Sequence, residues 1–210
     1  MTEKSRTAVV LVDLQNDFCH PDGVFHQVGM KVEGLDALIE RVNRLVHAGR
    51  ANGHRIVWVK MVWQNDAALG LIAKKSAFLA NRGLRANTWG AELLKGLDVS
   101  ASDFFVEKTR FSGFYKTTLE QSLRDAGITD LFIGGVRTDF CVESTVRDAY
   151  FRDFEVKVVA DTCAGYKQDM HEASLRVLNT VFSKVISLDE AIDQLAGASS
   201  KPTEQSVAAR

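Results

Sequence analysis

The stretch Ile133-Gly134-Gly135-Val136-Arg137-Thr138-Asp139-Phe140-Cys141-Val142-Glu143 is the most informative in this chain. It opens in an apolar strand, Leu131 to Ile133, which runs into a glycine pair. Cys141 then stands at the start of a helical pattern carried by Val142, Thr145, Val146 and Ala149. A thiol at a helix N-terminus meets unpaired backbone N–H groups and the positive end of the macrodipole. Both favour the nucleophilic thiolate. The same N–H groups can hold a developing oxyanion. A lone cysteine is also a common small core residue, and position alone leaves both readings open.

Two further segments favour chemistry. Ala8-Val9-Val10-Leu11-Val12 is a continuous apolar run ending in Asp13, followed by Leu14-Gln15-Asn16-Asp17-Phe18. Phe104-Phe105-Val106 is another, leading into Glu107-Lys108-Thr109-Arg110-Phe111-Ser112-Gly113-Phe114. Buried parallel strands read as such runs. Reactive groups in an open parallel sheet collect outside the carboxyl ends of the strands. Asp13, Lys108 and Cys141 each stand at or just past such an end. Together they supply a proton acceptor, a cation and a nucleophile.

With these motifs in view, the chain resembles the isochorismatase-like cysteine hydrolases. The likeness spans roughly residues 6 to 195 and rests on VVLVDLQNDF (9–18), EKTRFSGFYKTTLE (107–120) and GGVRTDFCVESTVRDAYFRDF (134–154). It is strongest to the ureido-type amidohydrolases, through RFSGFYKTTLE and CVESTVRDAYF. The resemblance implies a catalytic triad of Asp13, Lys108 and Cys141. It also implies a non-proline cis peptide at Val136–Arg137, which would turn the Arg137 N–H toward an oxyanion site shared with the Cys141 N–H. Many relatives carry a small residue at position 137, which leaves the Arg137 side chain open to an interface contact, a substrate contact or the solvated surface, with interface or surface put ahead.

Strands alternate with helical patterns, so the expected fold is a three-layer αβα sandwich around a mainly parallel sheet of about six strands. The strands are expected at Ala8–Asp13, Arg55–Met61, Asp103–Glu107, Leu131–Gly134, Glu155–Ala160 and Val185–Ile186. Helices are expected at Leu35–Asn52, Thr117–Ala126, from Cys141 to Arg152, Asp169–Phe182 and Leu188–Leu195. The first of these has Leu38, Val42, Leu45 and Val46 on one face and Gly53 as its stop. Residues 1–196 read as one domain and 197–210 as a disordered tail. Residues 62–101 break the rhythm, with a helical piece around Ala67–Ala80, and read as a lid or a subunit contact. Exposed Leu69, Leu71, Ile72, Phe78 and Leu79 would form a large apolar patch. With the resemblance, this suggests a homodimer or homotetramer.

The 210 residues are 46% hydrophobic and 25% charged, with a net charge of −1. This balance gives no electrostatic case for nucleic acid or membrane binding. No apolar run reaches membrane-spanning length and the N-terminus lacks a signal-like apolar region. Cys19, Cys141 and Cys163 are an odd number without framework spacing, which suits a reducing, cytoplasmic compartment. His20, His26, His47, His54 and His171 show no ligand-like pairing. The Lys60–Asp66 stretch also lacks the histidines of nicotinamidases, so no metal and no cofactor are expected.

The expected reaction is hydrolysis of a C–N bond in a small linear amide, carbamoyl or ureido compound through a covalent thioester. Vinyl ether hydrolysis of the isochorismatase type and a redox-sensing, non-catalytic cysteine are the alternatives. Expected substrate contacts are Asn16, Phe18, Trp63, Gln64, Trp89, Arg110, Phe111 and Tyr166. Gln15 and Asn16 are placed to orient Asp13 or the substrate.

Overall fold

The computed structural model describes residues 6–197. The expected tail therefore lies outside the described residues, Gly197 excepted. Six strands form one sheet: β1 (Thr7–Val12), β2 (Arg55–Met61), β3 (Phe104–Lys108), β4 (Asp130–Val136), β5 (Glu155–Ala164) and β6 (Lys184–Ile186). Their order is β3-β2-β1-β4-β5-β6, and every neighbouring pair is parallel. The chain winds outward in one direction from β1 and in the other from β4. The β1/β4 junction is thus the switch point, where a crevice opens beyond the strand ends.

Parallel strands covered on both faces must be apolar throughout, and Ala8 to Val12 of β1 are fully buried. The helix Leu35–Ala51 packs on β1, β2 and β5 and on the last helix, Leu188–Leu195. It buries the expected face of Leu38, Val42, Leu45 and Val46. Burying each such side chain is worth about 1.5–3 kcal/mol. The helix Glu143–Tyr150 packs on β5 and on the helix Gln168–Leu178. No helix among the described residues is long and apolar enough to cross a membrane.

β5 runs four residues past its expected end at Ala160. The register against β4 shifts between Ile133 and Gly135, after which Cys163 pairs with Gly135 and Ala164 with Val136. The glycine pair makes this possible. A Cβ on Gly134 would lie 2.2 Å from Thr162 Oγ1, and one on Gly135 would lie 2.1 Å from the Val12 carbonyl oxygen. Gly135 also has a φ of 125°, which side chains rarely adopt. Gly135→Ala should therefore cost about 2–4 kcal/mol by urea denaturation. Gly53→Ala, a positive-φ site with open space around it, should cost only about 1 kcal/mol. Equal losses at the two sites would contradict the close approach.

The expected helix over Ala67–Ala80 is three short pieces, Asp66–Leu69, Ile72–Lys75 and Ala77–Asn81. Gly70 (φ 58°) and the extended Ser76 interrupt it. The apolar side chains of this segment face inward. Leu69 and Leu79 are buried, Ile72 and Phe78 are partly buried against the core, and Leu71 alone of the five is exposed. The large outward patch expected here does not form, so it lends no support to a subunit contact.

Candidate active site

Asp13 follows β1, Lys108 ends β3, and Cys141 lies five residues beyond β4. The Asp13 backbone is left-handed, with φ 54°, an uncommon conformation tolerated best by Asp and Asn among residues with side chains. Two bonds hold this turn: Asp13 N–H donates to the Val59 carbonyl (2.8 Å), and Gln15 N–H donates to the Asp13 carbonyl (2.8 Å). Lys108 reaches past the end of β2. Its Nζ lies 2.6 Å from Asp13 Oδ2, and both side chains are fully buried. Nζ also donates to the Arg110 carbonyl at 3.2 Å. Asp13 Oδ1 is buried with no hydrogen-bond partner among the described residues. The Cys141 thiol is near enough to feel both charges, although it makes no bond of full geometry to Oδ1.

Electrostatics set the resting protonation. Burial raises the Asp13 carboxyl above its usual range, and Lys108 opposes this. Burial works against the Lys108 charge, but Asp13 and Cys141 outweigh it and hold the ammonium above its ordinary value. Burial, then the Asp13 charge, push the Cys141 thiol up, and Lys108 offsets only part of that. Burial thus works against the thiolate that helix position favours and holds Cys141 toward the protonated thiol. With Lys108 charged, the trio is neutral when carboxylate and thiol divide one proton between them.

The turn before the thiol also differs from a plain helix start. The Val136–Arg137 peptide is cis, as the resemblance implies. Thr138–Val142 is then a π turn, and the α-helix proper begins at Glu143. The Arg137 carbonyl accepts from Phe140 N–H (3.2 Å) and Val142 N–H (3.1 Å). These two N–H groups are thus not free to face the thiol.

A cavity of about 200 Å³ opens onto Cys141. Of the expected contacts, Phe18, Trp63 and Phe111 line it. The other five do not. Asn16 donates to the Trp89 carbonyl (2.7 Å), and Gln64 pairs with Glu107 (3.3 Å) on the surface. Trp89 is half exposed, edge-on to His20. Arg110 binds the Ala68 and Thr109 carbonyls (2.7 Å each). Tyr166 stands behind the wall, donating to the Phe18 carbonyl (2.9 Å). These side chains secure backbone or surface partners, work that their chemical type does not reveal in advance.

Sequence reading missed much of the wall. Phe25, Met61, Phe78 and Phe140 line the cavity, as do Lys75 and Ser76 from residues 62–101. That segment is a wall of the site. The signal for it was the long break in the strand–helix rhythm, a place where lids are found. Arg137 also lines the cavity, the place of a substrate contact rather than the interface or surface put ahead of it. Its guanidinium makes two bonds to the Asp139 carboxylate (3.2 and 2.6 Å). It also lies over the rings of Phe140 (4.1 Å) and Tyr166 (4.7 Å).

The three residues Gln15, Asn16 and Asp17 hold this wall to the sheet. Gln15 Nε2 donates to the carbonyls of Met61 (2.9 Å) and Ala91 (2.8 Å), while its Oε1 accepts from Met61 N–H (2.8 Å). Asn16 takes the Trp89 carbonyl, and Asp17 Oδ2 accepts from Leu84 N–H (2.6 Å). Gln15 braces the loop, and its side chain spends its bonds on Met61 and Ala91 rather than on orienting the Asp13 carboxylate.

Among the described residues no three His, Cys, Asp or Glu side chains are grouped to hold a metal ion. The molecule is thus a doubly wound α/β protein with a buried acid, lysine and cysteine at its switch point. The chain belongs to the isochorismatase family, and residues 7–190 match the Isochorismatase domain. It is 33% identical over 195 residues to the ureidoacrylate amidohydrolase RutB of Methylorubrum extorquens, covering 85% of this chain and 78% of that protein. Identity to the enzyme of the same name from Acinetobacter baylyi is 31% over 197 residues, covering 86% and 80%. The fold matches a cysteine hydrolase from Pseudomonas syringae pv. phaseolicola (TM-score 0.84, 24% identity, 92% and 94% covered). It also matches N-carbamoylsarcosine amidase from Thermoplasma acidophilum (TM-score 0.70, 24% identity, 88% and 98% covered).

Proposed function

We propose that this protein is a cysteine-dependent amidohydrolase acting on a linear carbamoyl or ureido compound. The carrying observation is the buried Asp13–Lys108–Cys141 cluster, whose thiol lines a cavity, with one carboxylate oxygen left without a partner among the described residues. The names of the ureidoacrylate amidohydrolase relatives support the substrate class.

Asp13 takes the thiol proton as Cys141 Sγ attacks the carbonyl carbon. Lys108 stabilises the sulfur anion as it forms. The Arg137 and Cys141 N–H groups hold the oxyanion. Asp13 then gives the proton to the departing nitrogen, the C–N bond breaks, and ammonia leaves. A thioester remains on Cys141. Water, deprotonated by Asp13, attacks it, and the S–C bond breaks to return the thiol. From a ureido compound the released carbamic acid falls apart to an amine and carbon dioxide.

Ammonia release across linear ureido compounds and nicotinamide, beside pyruvate release from isochorismate, tests the reading. The ureido compounds should turn over fastest. If nicotinamide led, the ureido assignment would fall; pyruvate release as the main activity would replace C–N hydrolysis altogether.

A further inference from the structure

The cavity wall is almost wholly apolar. Besides Cys141, its polar members are Arg137, Lys75 and Ser76. Arg137 is already neutralised by Asp139, whose carboxylate is itself nearly buried. Lys75 makes no ion pair or hydrogen bond among the described residues. Ser76 Oγ is buried and has no hydrogen-bond partner among the described residues. A buried hydroxyl without a partner is unfavourable until something supplies one. Two adjacent residues therefore bring an uncommitted cation and an uncommitted hydroxyl to one side of an apolar chamber.

From this arrangement we infer that Lys75 and Ser76 bind the carboxylate of the substrate, and that the preferred substrate is an N-carbamoyl derivative of an apolar amino acid. The inference rests on the amidohydrolase reading above. An ammonium is a compact charge suited to a carboxylate, and the hydroxyl adds a second donor. The chamber is small compared with drug-sized sites, which suits one apolar side chain beside the ureido group. A small polar urea such as biuret would leave the aromatic wall unfilled and forgo the burial of apolar surface.

The test follows ammonia release from N-carbamoyl-leucine, (3-methylbutyl)urea, which lacks the carboxylate, and biuret. Wild-type protein should prefer N-carbamoyl-leucine over both by about tenfold or more in kcat/KM, the scale of one charge-assisted hydrogen bond. Lys75→Met should raise KM for N-carbamoyl-leucine about tenfold with kcat little changed. The rise should be absent with (3-methylbutyl)urea. Lys75→Arg should restore most of the loss, and Ser76→Ala should give a smaller rise of the same kind. An equal KM rise for the acid and the uncharged urea, or a preference for biuret, would overturn this inference and leave the hydrolase reading intact. No ammonia from any of the three would overturn both.

Discussion

Cys141→Ala should abolish turnover, by at least about ten-thousand-fold in kcat, while the protein stays folded. A covalent nucleophile has no substitute in the mechanism, and losing one member of a catalytic unit costs nearly as much as losing all of it. Stability should change far less. The thiol is small, and removing its sulfur from the cavity edge should cost about 1 kcal/mol. Mass spectrometry of a quenched reaction should find an acyl or carbamoyl adduct on the wild-type Cys141 peptide. Substantial turnover by the alanine variant would remove Cys141 from the mechanism.

Lys108→Met should carry the largest stability cost of the substitutions considered. It leaves the Asp13 carboxylate buried without its cation, and breaking a buried pair in this way costs about 3–5 kcal/mol. The pH dependence gives the sign. Without Lys108, the folded-state pKa of Asp13 rises further above its ordinary 3.8, because the attraction that opposed burial is gone. A raised carboxyl pKa means that the folded state holds its proton more tightly than the unfolded state. The deficit relative to wild type should therefore be small at low pH, where Asp13 is protonated. It should grow as pH rises through the variant's folded-state pKa. Urea denaturation at pH 5 and pH 8 measures this gap. A gap independent of pH would show that the carboxylate is not the group left stranded. The same variant should alkylate more slowly with iodoacetamide, because Lys108 lowers the thiol pKa even though it does not win outright.

The frame was legible in the sequence because its signals are local and physical. Continuous apolar runs mark covered parallel strands, and the acid, lysine and cysteine stand at the ends of such runs. The 3.6-residue period of Leu38, Val42, Leu45 and Val46 marked a helix face that the structure buries. The extra length of β5 was not legible, since it depends on a register shift across two strands far apart in sequence. The thiol's surroundings were half legible, because helix position suggests a charge effect, whereas burial, which acts in the opposite direction, is set only by the fold. The cavity wall was misread for another reason. Gln64, Trp89 and Arg110 have the chemistry of ligand contacts, but surface partners and backbone carbonyls take them. Lys75 ends a short helical piece and Ser76 is the extended residue after it, with no motif at either, and only their place in the folded chain gives them meaning.

The residues after β1 divide their labour along the chain. Asp13 joins the buried trio, while Gln15, Asn16 and Asp17 tie β2 at Met61 to the wall segment at Ala91, Trp89 and Leu84. Most of what they grip is main chain, which every amino acid provides. The cavity-facing side chains of that segment can therefore change without breaking these anchoring bonds. A protein built this way keeps one face of its cavity open to change at Lys75, Ser76 and Phe78, as a tool with a fixed handle accepts a different blade.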